Sequence, residues 1–168
     1  MKIKIIPLID FPLPFNEIKE PFTIKFDLET ADKESIDFIQ NEISKSSLFA
    51  KDILYSFSKH LESKGKLSNE VRYVIITDKK LIYRKKSILG LSELGGNSIV
   101  SLYLIQKEPD MDQEEEAIKV ILHELGHGLG LGHCRVKGCI MSKLESIEDL
   151  RNQRFEFCNI CKKKLEKR

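Results

Sequence analysis

The sequence lacks any apolar run approaching the ~20 residues that a membrane-spanning helix needs. It also has little net charge, with 28 Lys and Arg against 26 Asp and Glu for a formal +2. That balance gives no electrostatic case for nucleic acid or a membrane surface as partner. No internal repeat and no long low-complexity linker interrupts the 168 residues. One domain with a real core is therefore the simplest organisation. The opening stretch MKIKIIPLIDFPLPF lacks an uninterrupted apolar segment, being broken by Pro7, Asp10, Pro12 and Pro14. With no small-residue cleavage site either, it does not read as a signal peptide, and a cytoplasmic location is expected. There, four cysteines serve more readily as metal ligands or free thiols than as disulfides. Histidine is scarce as well: there are four, and three of them fall inside the eleven residues from His123 to His133.

Alternation and apolar content predict strands over residues 1–9, 22–28, 71–77 and 98–105, with an irregular one over 81–88. A proline-rich irregular segment separates the first two. Helical spacing marks residues 32–43 and 47–61, and Gly95 with Gly96 makes a turn. A further helix starts at Asp112, with Glu115 three residues on in capping-box spacing; Asp110 is an alternative cap. Glu114, Glu115 and Glu116 suit the positive end of its dipole. Ile118, Ile121, Leu122, Leu125 and Leu129 then cluster on one side, with His123 and His127 opposite. One face of this helix is expected to enter the core and the other to line something open. A last short helix is expected within 146–156.

His123 and His127 lie four residues apart, one above the other on the helix, where both imidazoles can reach one zinc at about 2.0–2.1 Å. Glu124, beside the first histidine, points toward the metal's open position and can take a proton from a zinc-bound water. A straight helix would carry His133 away. Gly130 resolves this by turning the chain in the left-handed conformation, so that His133 closes a three-histidine site with one position left for water. Gly126 and Gly128 each cost about 0.8–1 kcal/mol relative to alanine in a helix interior. They imply either close packing or substrate access.

Cys134, Cys139, Cys158 and Cys161 read C-x4-C, a gap, then C-x2-C. Two close pairs of thiolates satisfy a closed tetrahedral zinc. His133 and Cys134 are chain neighbours, so the second zinc is expected to hold the third histidine in place. Substituting Cys134 by serine should then weaken zinc retention at the histidine site as well as folding.

The run HExxHxxGxxH resembles the metzincin metalloproteases, and HELGHGLGLGHCRVKGCIM followed by CNIC resembles their archaemetzincin branch, with every motif position matched. The specific part covers residues 118–161. The resemblance implies that Met141 forms the methionine turn beneath the zinc. The tyrosine ligand that some metzincins place after that turn has no counterpart here, since all four tyrosines precede it. It implies an α+β, metzincin-like fold: a mixed twisted sheet with packed helices and an active-site helix over residues 1–132, and a small zinc-bound C-terminal subdomain over 133–168, within a single catalytic domain. It implies two zinc ions per chain, one catalytic and one structural, and a peptide or protein substrate. In metzincins an edge strand of the sheet takes the substrate as an added strand. Residues 98–105, or those just before them, are the candidate here.

The expected function is a zinc metallopeptidase in which Glu124 activates the water and passes its proton to the leaving amine, with no separate inhibitory prodomain visible. Two alternatives differ in class. Bacterial rRNA-maturation endonucleases carry H-x3-H-x5-H, but typically lack the glutamate beside the first histidine and the cysteine cluster. The basic ending KKKLEKR favours nucleic acid only slightly, because such runs are usually solvated. A non-catalytic zinc-binding module would have no use for Glu124.

Overall fold

A computed structural model describes residues 1–9, 15–22, 24–44 and 48–167. The proline-rich stretch 10–14 therefore lies outside the described residues, as do Thr23 and Ser47 within two of the predicted elements. Among the described residues the chain runs β1 (Lys2–Leu8), α1 (Phe15–Lys19), β2 (Asp27–Thr30), α2 (Lys33–Ser44), α3 (Ala50–Ser63), β3 (Val71–Thr77), β4 (Leu81–Tyr83), β5 (Lys86–Ile88), β6 (Gly90–Ser92), β7 (Ser98–Ser101), a 3-10 turn at Ile105–Lys107, α4 (Gln113–Gly128), α5 (Ile147–Arg151) and α6 (Asn159–Glu166).

Five strands form one mixed sheet in the order β2-β1-β3-β7-β6. The first four run parallel, and β6 closes the edge antiparallel to β7, pairing Gly90 with Val100 and Ser92 with Ser98. β3 is the apolar run VRYVIIT because it is central and covered on both faces. Its Val74 and Ile76 join one core with α4 and the C-terminal residues, and its Tyr73 and Ile75 join another beneath α2 and α3. No helix among the described residues is long and apolar enough to cross a membrane.

Two predicted strands are corrected. The strand predicted over 22–28 is confined to Asp27–Thr30. Phe22 and Phe26 instead pack edge to face, 5.2 Å between centroids, so their apolar character serves the core and not a ladder. The strand predicted over 98–105 ends at Ser101, where the Ser101 hydroxyl donates to Lys79 O and the chain turns. Leu102 and Ile105 stay buried without being strand, a distinction that hydrophobicity does not carry. Of the two candidates for the substrate-facing edge, β7 is interior, and the edge is formed by β6, in the residues just before it. The residues over 81–88 form an antiparallel hairpin, β4–β5, with Arg84 and Lys85 as its two-residue tip. Both tip residues sit at positive φ, 47° and 66°, which for non-glycine residues costs about 1–2 kcal/mol each.

Candidate active site

Helix α4 begins as the sequence predicts. The Asp112 carboxylate accepts from the N–H groups of Glu114 and Glu115, both at 3.1 Å. Glu115 turns away to Lys119 (2.9 Å) and so does not complete a reciprocal capping box. As expected, His123 and His127 line an open cleft, but burial extends further around the helix than one apolar face. Residues 116–126 are all buried, because the sheet covers one side of α4 and the C-terminal residues cover the other. Polar residues on it are tolerated where they find partners, as Lys119 does with Glu115 and Glu116.

The histidines come together. The Nε2 atoms of His123 and His127 are 3.1 Å apart, and one nitrogen from each of His123, His127 and His133 lies within 4.8 Å of the others. His123 Nδ1 lies 2.7 Å from Ile140 O, and His127 Nδ1 lies 2.7 Å from Leu131 O. A carbonyl only accepts, so both Nδ1 atoms carry hydrogen and both Nε2 atoms present lone pairs. Burial holds both imidazoles below the ordinary value, His123 at about 3, so they are neutral at pH 7. Two lone pairs facing each other at 3.1 Å repel unless a cation lies between them. Zinc at ~2.0–2.1 Å from each would set such atoms ~3.3 Å apart, close to what is found. The donor set therefore fits zinc. His133 reaches it through the bend at Gly130, whose φ is +83°. Leu131 N–H donates to Gly126 O (2.8 Å) and Gly130 N–H to His127 O (2.7 Å), a Schellman ending of the helix. Arg72 Nε caps the same end by donating to Gly128 O at 3.2 Å.

Glu124 faces the sheet edge. Its carboxylate accepts from Ser92 Oγ at 2.5 Å, and Ser92 Oγ also lies 2.7 Å from Ser98 Oγ. Gly90 has no side chain because the Glu124 carboxyl fills the space a Cβ would take. Burial pushes Glu124 up to about 7, against the hydrogen bond from Ser92. It lines a cleft of about 510 Å³ with His123, His127, His133, β6 and the β4–β5 hairpin.

The four cysteines also converge, none in a disulfide. Cys134 and Cys158 Sγ are 3.7 Å apart, Cys139 and Cys161 Sγ 3.8 Å, and all four lie within 4.8 Å of one another. A tetrahedron with ~2.3 Å metal–sulfur bonds has edges of ~3.8 Å, so this set fits a closed zinc. Burial opposes ionisation of Cys158, but the N–H groups of Cys161 and Ile160 and the neighbouring thiols outweigh it and bring Cys158 down to about 7. Burial drives Cys139 and Cys161 up.

Residues 139–142 join the two centres. Ile140 O orients His123, Met141 O accepts from Cys134 N–H (2.7 Å), and Gln153 Nε2 donates to Ser142 O (3.0 Å). Met141 is fully buried and presses its sulfur where a Cβ on Gly126 would stand. A Cβ on Gly128 would lie 3.0 Å from Gly96 O. Both helix glycines therefore serve close packing. Periodicity and motif spacing do not reveal Ser92, Ser98 or the carbonyls of Leu131 and Ile140. Serines on a short edge strand and main-chain oxygens carry no sequence signal of their own.

A helix bearing HExxH across a mixed sheet, with a third histidine beyond a glycine bend, is the arrangement of the zinc metallopeptidases. The chain belongs to peptidase family M54, whose profile matches residues 31–167. Nothing in these comparisons favours the RNA hydrolases that share the histidine spacing. It is similar to the archaemetzincin of Saccharolobus solfataricus, 37% identical over 86 residues covering 48% of this chain and 46% of that relative. The chain thus spans about half the length of that relative. The archaemetzincin of Haloquadratum walsbyi is 28% identical over 122 residues, covering 66% of this chain and 70% of the relative. Among solved structures, the archaemetzincin of Archaeoglobus fulgidus superposes with a TM-score of 0.67 at 22% identity, covering 98% of this chain and 99% of that one. That of Methanopyrus kandleri gives 0.66 at 22% identity, covering 99% and 94%. These two share the fold.

Proposed function

We propose that this chain hydrolyses peptide bonds, with His123, His127 and His133 holding a catalytic zinc and Glu124 moving the proton. The observation that carries the reading is the pair of unprotonated Nε2 atoms 3.1 Å apart beside a buried carboxylate in one cleft. Zinc held there supplies Lewis acidity to water and to a substrate carbonyl. Glu124 accepts the proton of the attacking water and returns it to the departing amine; a carboxyl raised to about 7 suits both directions near neutral pH. Ser92 fixes the carboxylate by its hydrogen bond. The free edge of β6 offers its main chain to an extended peptide laid along the cleft.

The cysteine set would hold a second, structural zinc, giving two per chain and anchoring residues 133–168 as a subdomain against α4. Gly130 and the turn at Met141 position ligands without touching substrate. A cytoplasmic location accords with four cysteines gathered as a metal set.

The test is digestion of a diverse peptide mixture by the zinc-loaded protein, read by mass spectrometry beside a Glu124→Ala sample. New termini in the first and none in the second support the reading. Products of equal yield in both contradict it.

A further inference from the structure

The β4–β5 hairpin stands over the cleft, and its tip is chemically unusual. Two-residue tips with both residues at positive φ favour Asn-Gly, because those side chains tolerate the left-handed region. Here the positions are Arg84 and Lys85, both cationic. Strain of this kind persists where the surroundings or the function demand it. Tyr83, Arg84 and Lys86 line the same cleft as His123, Glu124 and His133. The Arg84 guanidinium lies over the Tyr83 ring, 5.1 Å from its centroid, which limits where it can point.

The charges around the cleft are unbalanced. Arg84 and Lys86 are exposed, and neither forms an ion pair among the described residues. Lys66, Lys119 and Arg151 each have at least two carboxylate partners. The cleft lining has two carboxylates. Glu124 is buried at the site, and Glu145 is engaged by Lys143 at 2.8 Å and feels the charge of Lys86 only at longer range. Two exposed cations of the hairpin thus line the cleft, Arg84 with no ion pair among the described residues and Lys86 with only the shared, more distant Glu145. A hairpin charged only for solubility needs neither the left-handed backbone nor a place in the cleft wall.

We propose that Arg84 and Lys86 bind a carboxylate of the substrate, so that the enzyme selects peptides bearing an acidic group at a fixed distance from the cleaved bond. The group is either an Asp or Glu side chain or the C-terminal carboxylate of a short peptide. This rests on the peptidase reading and adds the substrate class.

The experiment uses a pooled decapeptide library in free-acid and C-terminally amidated forms, digested by zinc-loaded wild type and by Arg84→Glu/Lys86→Glu. Expected in wild type is a roughly fivefold enrichment of acidic groups at one position, the size an exposed charge pair sustains. The reversed variant should lose it or favour Lys and Arg. An enrichment present in both library forms assigns the side chain, and one confined to the free acids assigns the C-terminus. Arg84→Asn/Lys85→Gly guards against misfolding: its melting temperature should not fall, yet the enrichment should weaken. Independently of turnover, zinc-loaded Glu124→Gln should bind an Asp-containing decapeptide more tightly than its Lys counterpart, less so at high salt. Cleavage without acidic preference, or an unchanged profile in the folded reversed variant, overturns this proposal alone. Absence of any cleavage by wild type overturns the peptidase reading, and this proposal with it.

Discussion

The Nε2 atoms of His123 and His127 stand 3.1 Å apart while both Nδ1 atoms donate to main-chain carbonyls. Neither imidazole can relieve the contact by changing tautomer without losing its carbonyl. A zinc held between the two Nε2 atoms would satisfy both lone pairs, so zinc should act as a folding ligand. At a free concentration a hundred times its Kd, a bound ion adds about 2.7 kcal/mol. Chelation should lower the melting temperature and zinc should restore it. A melting temperature indifferent to chelator contradicts this.

Ser92→Ala removes the one side-chain hydrogen bond that the Glu124 carboxylate receives among the described residues. Hydrogen bonds to charged groups are worth about 1.5–3 kcal/mol, so kcat should fall roughly ten- to a hundredfold. KM and zinc content should hold, because Ser92 touches neither the histidines nor the cysteines. Steady-state kinetics with metal analysis checks the split.

Gly126→Ala sets two effects against each other. Alanine improves helix propensity by about 0.8–1 kcal/mol. Its Cβ, however, would overlap the Met141 sulfur and come within 3.3 Å of Phe157, both fully packed. Overpacking costs about 1–3 kcal/mol, so the variant should be less stable by roughly 1 kcal/mol net. Adding Met141→Ala should recover little, since it opens a cavity of its own. Urea denaturation of the three proteins measures both terms.

Cys134→Ser tests the link between centres. Cys134 follows His133 in the chain and donates to Met141 O, next to the carbonyl that orients His123. Loss of the cysteine zinc should therefore raise the Kd for zinc at the histidines as well. Native mass spectrometry should find fewer than one zinc per chain on average at limiting metal. A variant retaining one tightly held zinc and full activity would break the link.

At the other end of the molecule Asp32 accepts from Ser35 N–H and from Lys66, which also pairs with Glu34. Burial opposes the charge on Asp32, but Lys66 and Ser35 bring its carboxyl down from 3.8 to about 2. A folded value below the unfolded one gives stability that is complete above pH ~4 and lost as pH falls toward 2. Asp32→Asn should flatten that part of the stability curve while leaving it unchanged in slope above pH 5. Thermal melts from pH 2 to 6 decide it.

The gathering of the histidines and of the cysteines was legible because their spacing is local: two histidines one turn apart, a glycine at the bend, paired cysteines. The helix that carries His123 and His127 was legible from its cap and period, but the extent of its burial was not. His123 and His127 read as an open side, and they do line the cleft, but the burial of Lys119 between Glu115 and Glu116 did not show, because polarity is visible in sequence and partners are not. Ser92 reaches Glu124 across 32 residues through a three-residue edge strand too short to show a pattern. The same reason hid β7's early end: Leu102 to Ile105 are as apolar in a buried turn as in a strand.

The most direct test of the account measures zinc and turnover on one preparation of Glu124→Gln, which keeps the shape of the buried side chain against Gly90. The account predicts two zincs per chain, as in wild type, with kcat for peptide cleavage down by about 10²–10⁴. Two zincs with wild-type turnover would show that the proton moves by another route and contradict the role given to Glu124.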